Sequence, residues 1–486
     1  MALGTPLEKG LKVGALGFVS SLVIGVASTA PGYSVAASLG VVAASVATQS
    51  PGVLWLAFLP MLGTASSYYA MNRVDPDCGT TFTWVTRSMG PWVGWIAGWS
   101  LLAADLLIMA SLGQIAGKYS FRLFGANALA ASPFWVTVVS VAWVVVMTWI
   151  CYVGIEVSAR TQWVLLAAEV AVLALFSSVA LGRVYAGAFP DSLVPTLRWL
   201  NPFELDATAL NAGVLTAIFI YWGWDTAVAV NEETERAEHT PGHAAVVSTV
   251  LLLAIYLLVS VAAQAVHGPG FLAAHKEDVL SALGGEVLPF GLDKLLLDVA
   301  VLTSASAATQ TTILPATRSM LAMAAHGAAP RALGAISRYA TPGASTLWMG
   351  AISIAWCIAL SLVSENVIAD SVTATGLAIS FYLSITGIAC VFYFRRALWN
   401  DLRTFALAGL GPLAGALGLG YVFVRSCIDL ADPGRSESGA WLGVGLPLAI
   451  AFWSSAIGVV LMLWMWRLDP TFFQRRMQAA GAETRL

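Results

Sequence analysis

Two short stretches carry the residues best suited to holding a small polar solute. Gly25-Val-Ala-Ser28-Thr29-Ala30-Pro31-Gly32-Tyr33 and Tyr221-Trp222-Gly223-Trp224-Asp225-Thr226 both interrupt apolar runs with helix breakers, hydroxyls or a carboxyl. In lipid an unbroken helix satisfies its own backbone, whereas a break strands N–H and C=O groups at a cost of several kcal/mol each. Such a break persists where the freed groups line a cavity or hold a ligand. In the first stretch, Ser28 or Thr29 can cap a new half-helix with Pro31 in its first turn, where a missing N–H costs nothing. The amides of Ala30, Gly32 and Tyr33 then face mid-membrane at the positive end of the helix dipole, a place for an anion such as a carboxylate. A Pro-Gly kink tolerated by neighbouring helices is the plainer alternative. In the second stretch, Gly223 frees backbone between two indoles, and carbonyls near Ile220 to Trp222 can accept from an ammonium group. Tyr221, Trp222 and Trp224 can stack on or cover a solute, with cation–π attraction for an amine. Asp225 reads as the N-cap of a second half-helix or as the partner of that amine, and one residue can do both.

Other charges lie in apolar surroundings. Asp105 and Glu169 each sit near the middle of an apolar run with no basic residue close by, so each needs a partner helix, water or a proton. A carboxyl that gains and loses a proton is what a proton carrier requires; a static hydrogen bond is the alternative. Asp298 follows Lys294 by four residues and reads as structural. Thr303 and Ser304 open a run of six hydroxyls ending at Thr312. They can pack against the preceding turn, or offer oxygen ligands to Na⁺ together with carbonyls of the first break.

These residues must be positioned by membrane helices. The chain has 486 residues, 58% of them apolar and only 10% charged, with a mean hydropathy of +0.79. Soluble domains carry roughly 25% charged residues. At about 20 residues per crossing, twelve spans follow, at 13–48, 52–72, 91–118, 133–153, 158–181, 208–232, 243–266, 292–322, 344–363, 369–394, 404–425 and 441–466. Pro-Gly or Pro-flanked connections such as Ser50-Pro-Gly, Thr240-Pro-Gly and Thr341-Pro-Gly punctuate them. With the N-terminus inside, Lys and Arg fall two-to-one on the inner segments, which places both termini in the cytoplasm and the chain in the cell membrane. The breaks fall in spans 1 and 6, each followed by four more spans. Paired breaks at matching positions of two halves point to the binding site of a secondary transporter.

Other classes lack their chemistry. The net charge of −3 gives no case for nucleic acid, and the five cysteines have no metal-type spacing. The pair Gly117-Lys118 lacks the upstream glycine of a phosphate loop, and G-x-S-x-G and H-E-x-x-H are absent. No enzyme and no metal site are expected. A lipid-acting enzyme would need a nucleophile–base pair or a metal cluster at one membrane face; a channel or non-transporting sensor is the remaining rival.

Three stretches together resemble the amino acid–polyamine–organocation superfamily of permeases. The first is Tyr221-x-Gly223-Trp224-Asp225 with Asn231-Glu232-Glu233-Thr234 and Thr240-Pro241-Gly242. The second runs from Pro76 through Gly79, Phe82, Trp84, Gly90-Pro91, Gly94-Trp95 and Gly98-Trp99. The third is Thr317-Arg318-Ser319-Met320 running to Gly327 and Pro330. The resemblance covers spans 1–10. It implies an all-α, ten-helix inverted-repeat core of the leucine-transporter type, with substrate between spans 1, 3, 6 and 8. It also implies Glu232 and Glu233 as gate elements, and import or exchange of amino acids or amines. The chain departs from the family in reading Ser-Thr-Ala-Pro-Gly-Tyr where many members have a glycine-rich G-[ST]-G-I-F. It also carries Glu169 where some proton-coupled members have lysine.

The expectation is therefore a secondary transporter of amino acids, polyamines or related amines that works by alternating access in a lipid bilayer. Residues 1–12 form a cytoplasmic N-terminus, 13–181 the first repeat, 208–394 the second, 404–466 the last two spans and 467–486 a cytoplasmic tail. Gly32 and Tyr33 would hold a substrate carboxylate, Asp225 and the span-6 carbonyls its amino end, and Trp222 and Trp224 would cover it. Asp105 or Glu169 would carry a proton. No cofactor is expected beyond the coupling ion, H⁺ or, through Thr303 and Ser304, Na⁺.

Overall fold

The computed structural model describes residues 9–276, 279–288, 293–364, 366–436 and 439–474. Residues 1–8 and 475–486, assigned above to the cytoplasmic ends, lie outside the described residues. Helices follow in chain order: α1 (Phe18–Ser28), α2 (Pro31–Val46), α3 (Ser50–Val74), α4 (Thr81–Met89), α5 (Pro91–Leu123), α6 (Asn127–Ala130), α7 (Pro133–Val153), α8 (Ile155–Tyr185) and α9 (Ala207–Tyr221). Then come α10 (Thr226–Ala229), α11 (Thr240–Ala274), α12 (Val279–Val287), α13 (Asp293–Ala325), α14 (Gly343–Val363), α15 (Val367–Phe394), α16 (Leu402–Thr404), α17 (Gly411–Leu430) and α18 (Leu446–Leu468). A π-helical stretch, Phe405–Leu410, joins α16 to α17. The two-residue strands Ala440–Trp441 and Val444–Gly445 pair antiparallel.

Proline sets many of the helix starts. Pro31, Pro91, Pro133, Pro241, Pro412 and Pro447 all lie in first turns, where no intrahelical donor is lost. Asp206 starts α9 by accepting from the amides of Thr208 (2.9 Å) and Ala209 (3.0 Å). Those two donors, Ala209 first, hold its carboxyl below the usual aspartate value.

Among the described residues, ten helical stretches are long and apolar enough to cross a membrane, and this is a multi-pass membrane protein. One of them, Phe18–Val74, is 57 residues long, enough for two passages at 1.5 Å per residue. The expected span at 292–322 corresponds to α13, which is not among the ten: the hydroxyl run from Thr303 to Thr312 dilutes its hydropathy. It nevertheless packs in the centre, against α2, α5, α7 and α8. Lipid-facing and central helices separate by burial. Of the most apolar window of each stretch, 89% is buried in Ala207–Ala229 but only 28% in α18, whose outer face carries Phe452, Val460 and Leu468. An apolar surface of that kind suits contact with lipid rather than water.

The structure differs from the expected boundaries in several places. A helix, α4, occupies the stretch before Gly90 expected as loop. The span expected at 243–266 continues to Ala274 through a kink at Gly268-Pro269, where Gly268 has φ +77°. Span 6 is the largest difference. After Tyr221 only the four residues of α10 are α-helical, and the chain then turns through Asn231–Glu233 as a short 3₁₀ segment. The aligned packing pairs α3 with α11, α5 with α13 and α7 with α14.

Candidate substrate site

Both breaks are present and they meet. α1 ends at Ser28 and α2 begins at Pro31; α9 ends at Tyr221 and α10 begins at Thr226. Gly223 has φ +125°, and a Cβ there would stand 2.5 Å from the carbonyl oxygen of Ser28 and 2.9 Å from the amide of Thr29. Only glycine lets the two interrupted backbones lie this close. Ser28 Oγ and Thr226 Oγ1 join across the gap at 2.8 Å. Tyr256 of α11 donates its hydroxyl to the Ile220 carbonyl (2.7 Å) and to that of Thr29 (3.4 Å), stitching the exposed ends together.

The first break is built differently from the sequence expectation. Neither Ser28 nor Thr29 caps α2: Ser28 reaches across to Thr226, and Thr29 Oγ1 bonds back to Val26 O at 2.7 Å. The residue before the half-helix is Ala30, in a left-handed conformation at φ +46° without a side-chain cap. Holding a non-glycine residue there costs on the order of 1–3 kcal/mol, strain of the kind that collects at functional sites. The amides expected to hold a substrate carboxylate have partners within the protein. Gly32 N donates to Glu169 Oε1 at 2.5 Å, Tyr33 N donates to Ser304 Oγ at 3.0 Å, and Ser304 Oγ donates to the same Glu169 oxygen at 2.9 Å. Glu169 and Ser304, read separately as a proton group and a Na⁺ ligand, thus form one cluster with the first break. Thr303 turns instead to its own helix, donating to Val299 O and Ala300 O.

On the other side, Asp225 does not cap α10. Its Oδ2 accepts the Tyr382 hydroxyl at 2.9 Å, and Tyr382 in turn accepts from Trp222 Nε1 at 2.6 Å. Asp105 of α5 is 1% exposed and within electrostatic reach of Asp225, Tyr68 and Tyr382; its Oδ2 has no hydrogen-bond partner. Trp224 is fully buried edge-on against Tyr68, ring centroids 5.1 Å apart, and Tyr221 lies edge-on to Tyr256 at 5.2 Å. Asp225, Trp222, Trp224 and Tyr221 therefore gather around the second break, and Asp105, read from the sequence only as a mid-span carboxyl, lies near them. The Ile220 carbonyl, expected to be open to an amine, is taken by Tyr256. Sequence reasoning missed Tyr256, Tyr382 and Phe219. The last stands edge-on to Tyr33 at 6.3 Å, one turn below Leu215 as Tyr33 is one turn below Ala37.

Leu215 and Ala37 line a cavity of about 1440 Å³ that opens at the face carrying Lys118, Thr208 and Asp429. The Tyr33–Phe219 pair thus lies between that cavity and the two breaks. The opposite face is closed by ions. Glu233 takes Arg318 in a two-pronged pair, Nε to Oε2 and Nη2 to Oε1 both at 2.9 Å, with both side chains at most 1% exposed. Glu232 binds the ammonium of Lys9, which also lies 3.0 Å from Asp77 Oδ2, and it accepts from Cys78 N at 3.0 Å. Asp75 pairs with Arg87; burial pushes its carboxyl up to about 6, against the pull of that guanidinium. Asp77, Cys78 and Glu232 are close enough together to suit a metal ion, but the Lys9 ammonium contacts both carboxylates. Backbone closes the same face, with Leu16 N donating to Glu233 O (3.0 Å) and Glu235 N to Leu16 O (2.8 Å).

Two abutting helix breaks lie below a cavity at one face and above an ion-locked opposite face, and a family match spans this arrangement. A model of amino acid permeases fits residues 13–465. The chain belongs to the amino acid permease family. Among similar proteins, this permease is 24% identical to the low-affinity putrescine importer PlaP of Escherichia coli (strain K12) over 84% of its own chain and 87% of the relative. It is 24% identical to the branched-chain amino acid permease BcaP of Lactococcus lactis subsp. cremoris (strain MG1363), over 87% and 91% respectively. The uncharacterized transporter Rv1999c of Mycobacterium tuberculosis (strain ATCC 25618 / H37Rv) is 27% identical over 69% of the permease and 72% of that protein.

Proposed function

We propose that the permease is an ion-coupled secondary transporter of amino acids or related amines that works by alternating access in the cell membrane. The observation that carries this reading is the contact of Gly223 with Ser28, which brings two sets of freed backbone groups to one place. The similarity to a putrescine importer and to a branched-chain amino acid permease supports this substrate class. The pairing of α3 with α11, α5 with α13 and α7 with α14 supports two inverted repeats, 13–181 and 208–394, related by a two-fold axis in the membrane plane. The positive-inside bias assigns the Lys9 face and both termini to the cytoplasm. The state described is then closed inside by Lys9, Glu232, Glu233 and Arg318, with its cavity open to the outside.

We assign proton coupling to Asp105 and Glu169, carboxyls at mid-depth with an oxygen lacking any partner. Radiolabelled uptake into proteoliposomes should rise with an inward-directed pH gradient, and Asp105→Asn or Glu169→Gln should abolish that dependence. The proton assignment fails if both variants keep the gradient response of the unmodified protein. Ser304 beside the first break supports Na⁺ as the alternative coupling ion, in which case uptake would follow a Na⁺ gradient and ignore pH.

A further inference from the structure

The half-helix that begins at Pro31 already holds a carboxyl group, that of Glu169. Proline has no N–H, Gly32 N and Tyr33 N are committed to Glu169 and Ser304, and Ser34 N donates to Ala30 O at 2.7 Å. Every first-turn donor of α2 is thereby used, and a solute carboxylate would have to displace Glu169 to reach one. Glu169 is fully buried, and its second oxygen, Oε2, has no hydrogen-bond partner. Across the breaks lie two more carboxyls, Asp225 and Asp105, the latter again with an unpartnered oxygen. Nothing cationic balances them there. Among the described residues the buried basic side chains are Lys9, Arg318 and His326, all at the ion-locked face. The unfilled donors near the breaks, Tyr221 Oη and Trp224 Nε1, are uncharged.

We infer that Glu169 is a resident substitute for a substrate carboxylate, so the site selects organic amines that lack an α-carboxylate over the corresponding zwitterionic amino acids. The inference rests on the transport reading above and narrows its substrate class. A buried carboxyl that gives up its proton needs an opposite charge beside it, and an ammonium group brings the charge that this site lacks. The aromatic faces of Tyr221, Trp222 and Trp224 attract the same cation. A zwitterion would add a further carboxylate where the first-turn amides of α2 are already spent. Glu169 is on this account a specificity-determining residue, and removing it should return the Gly32 amide to solutes.

The test uses the full-length permease in proteoliposomes and matched pairs that differ by one carboxylate: leucine and 3-methylbutylamine, ornithine and putrescine, lysine and cadaverine. Uptake and competition should favour the amine at least 10-fold in each pair that is transported, with thermal stabilisation of the purified protein following the same order. In Glu169→Ala the amine should lose at least 10-fold and the amino acid should gain. If that variant does not fold, Glu169→Gln keeps an acceptor for Gly32 N without its charge, and should weaken the amine about 10-fold with no gain for the acid. Amino acids bound as well as or better than their amines would overturn the inference and leave the transport reading standing. Unchanged selectivity in a folded Glu169 variant would overturn the role of Glu169, and absence of both uptake and stabilisation for every member would overturn both readings.

Discussion

Gly223→Ala is expected to reduce uptake by on the order of 100-fold, the scale on which a misplacement of about 1 Å acts on a preorganised site. The added Cβ meets backbone, not a flexible side chain: Ser28 O at 2.5 Å, Ser28 C at 2.6 Å and Thr29 N at 2.9 Å. Relief requires the two breaks to separate, which pulls Ser28 from Thr226 and loosens the hold of Tyr256 on Ile220 and Thr29. The φ of +125° adds strain of about 1–3 kcal/mol for any residue with a side chain. A lowered unfolding midpoint in detergent should accompany the loss. Gly182→Ala on α8, where an added Cβ meets nothing within 4 Å, is the control and should behave as the unmodified protein. Uptake by a Gly223→Ala protein at the unmodified rate would show that contact between the breaks is not required.

Arg318→Met should lower stability by about 3–5 kcal/mol, because it leaves the carboxylate of Glu233 buried and alone. Glu233→Leu should cost a similar amount by stranding the guanidinium. The pair has both side chains at most 1% exposed and two parallel hydrogen bonds at 2.9 Å, so neither ion finds water when the other is removed. The double variant should regain most of the loss, since two apolar side chains of similar volume remove the desolvation cost of both ions. Thermal unfolding of the four proteins closes a double-mutant cycle. Single variants with unchanged midpoints would mean that water replaces the missing partner at this face. The double variant should also keep this face apolar and closed without the ion pair, so its uptake separates the contribution of the pair to stability from the proposed one to gating.

The sequence revealed the site where a local rule was broken. Pro31-Gly32 and Trp222-Gly223-Trp224 are visible because glycine and proline do not belong inside apolar spans, and Asp105, Glu169 and Asp225 because charge does not. What it left hidden is pairing over long separations. Glu169 lies 137 positions from Gly32, and nothing near either residue announces that a glutamate would occupy the amide expected to hold substrate. Tyr382 and Tyr256 sit in apolar helices where a tyrosine looks like packing; only the fold brings their hydroxyls to Asp225 and Ile220. Capping by Ser28 or Thr29 failed because a hydroxyl has several acceptors within reach, and here one chose a neighbouring helix and the other its preceding turn. Glu232 and Glu233 were legible as an acidic pair. Their division of labour, one for Lys9 and one for Arg318, depends on which chain segments converge at that face. Helix α13 shows the reverse: its hydroxyls mark it as central while making it less apolar than the surrounding helices.

The main-chain pairing of Leu16 with Glu233 and Glu235 ties the residues just ahead of α1 to those just after α10. Neither of these short segments can swing away by itself without breaking a two-rung ladder of backbone hydrogen bonds. Their tilting is thereby yoked, and a half-ajar arrangement, with one segment displaced and its counterpart still seated, becomes the costly state. On the proposed reading of an ion-coupled carrier, such an arrangement is the one through which ions would slip past uncoupled, and a pair of backbone contacts between distant stretches of chain would guard against that leakage.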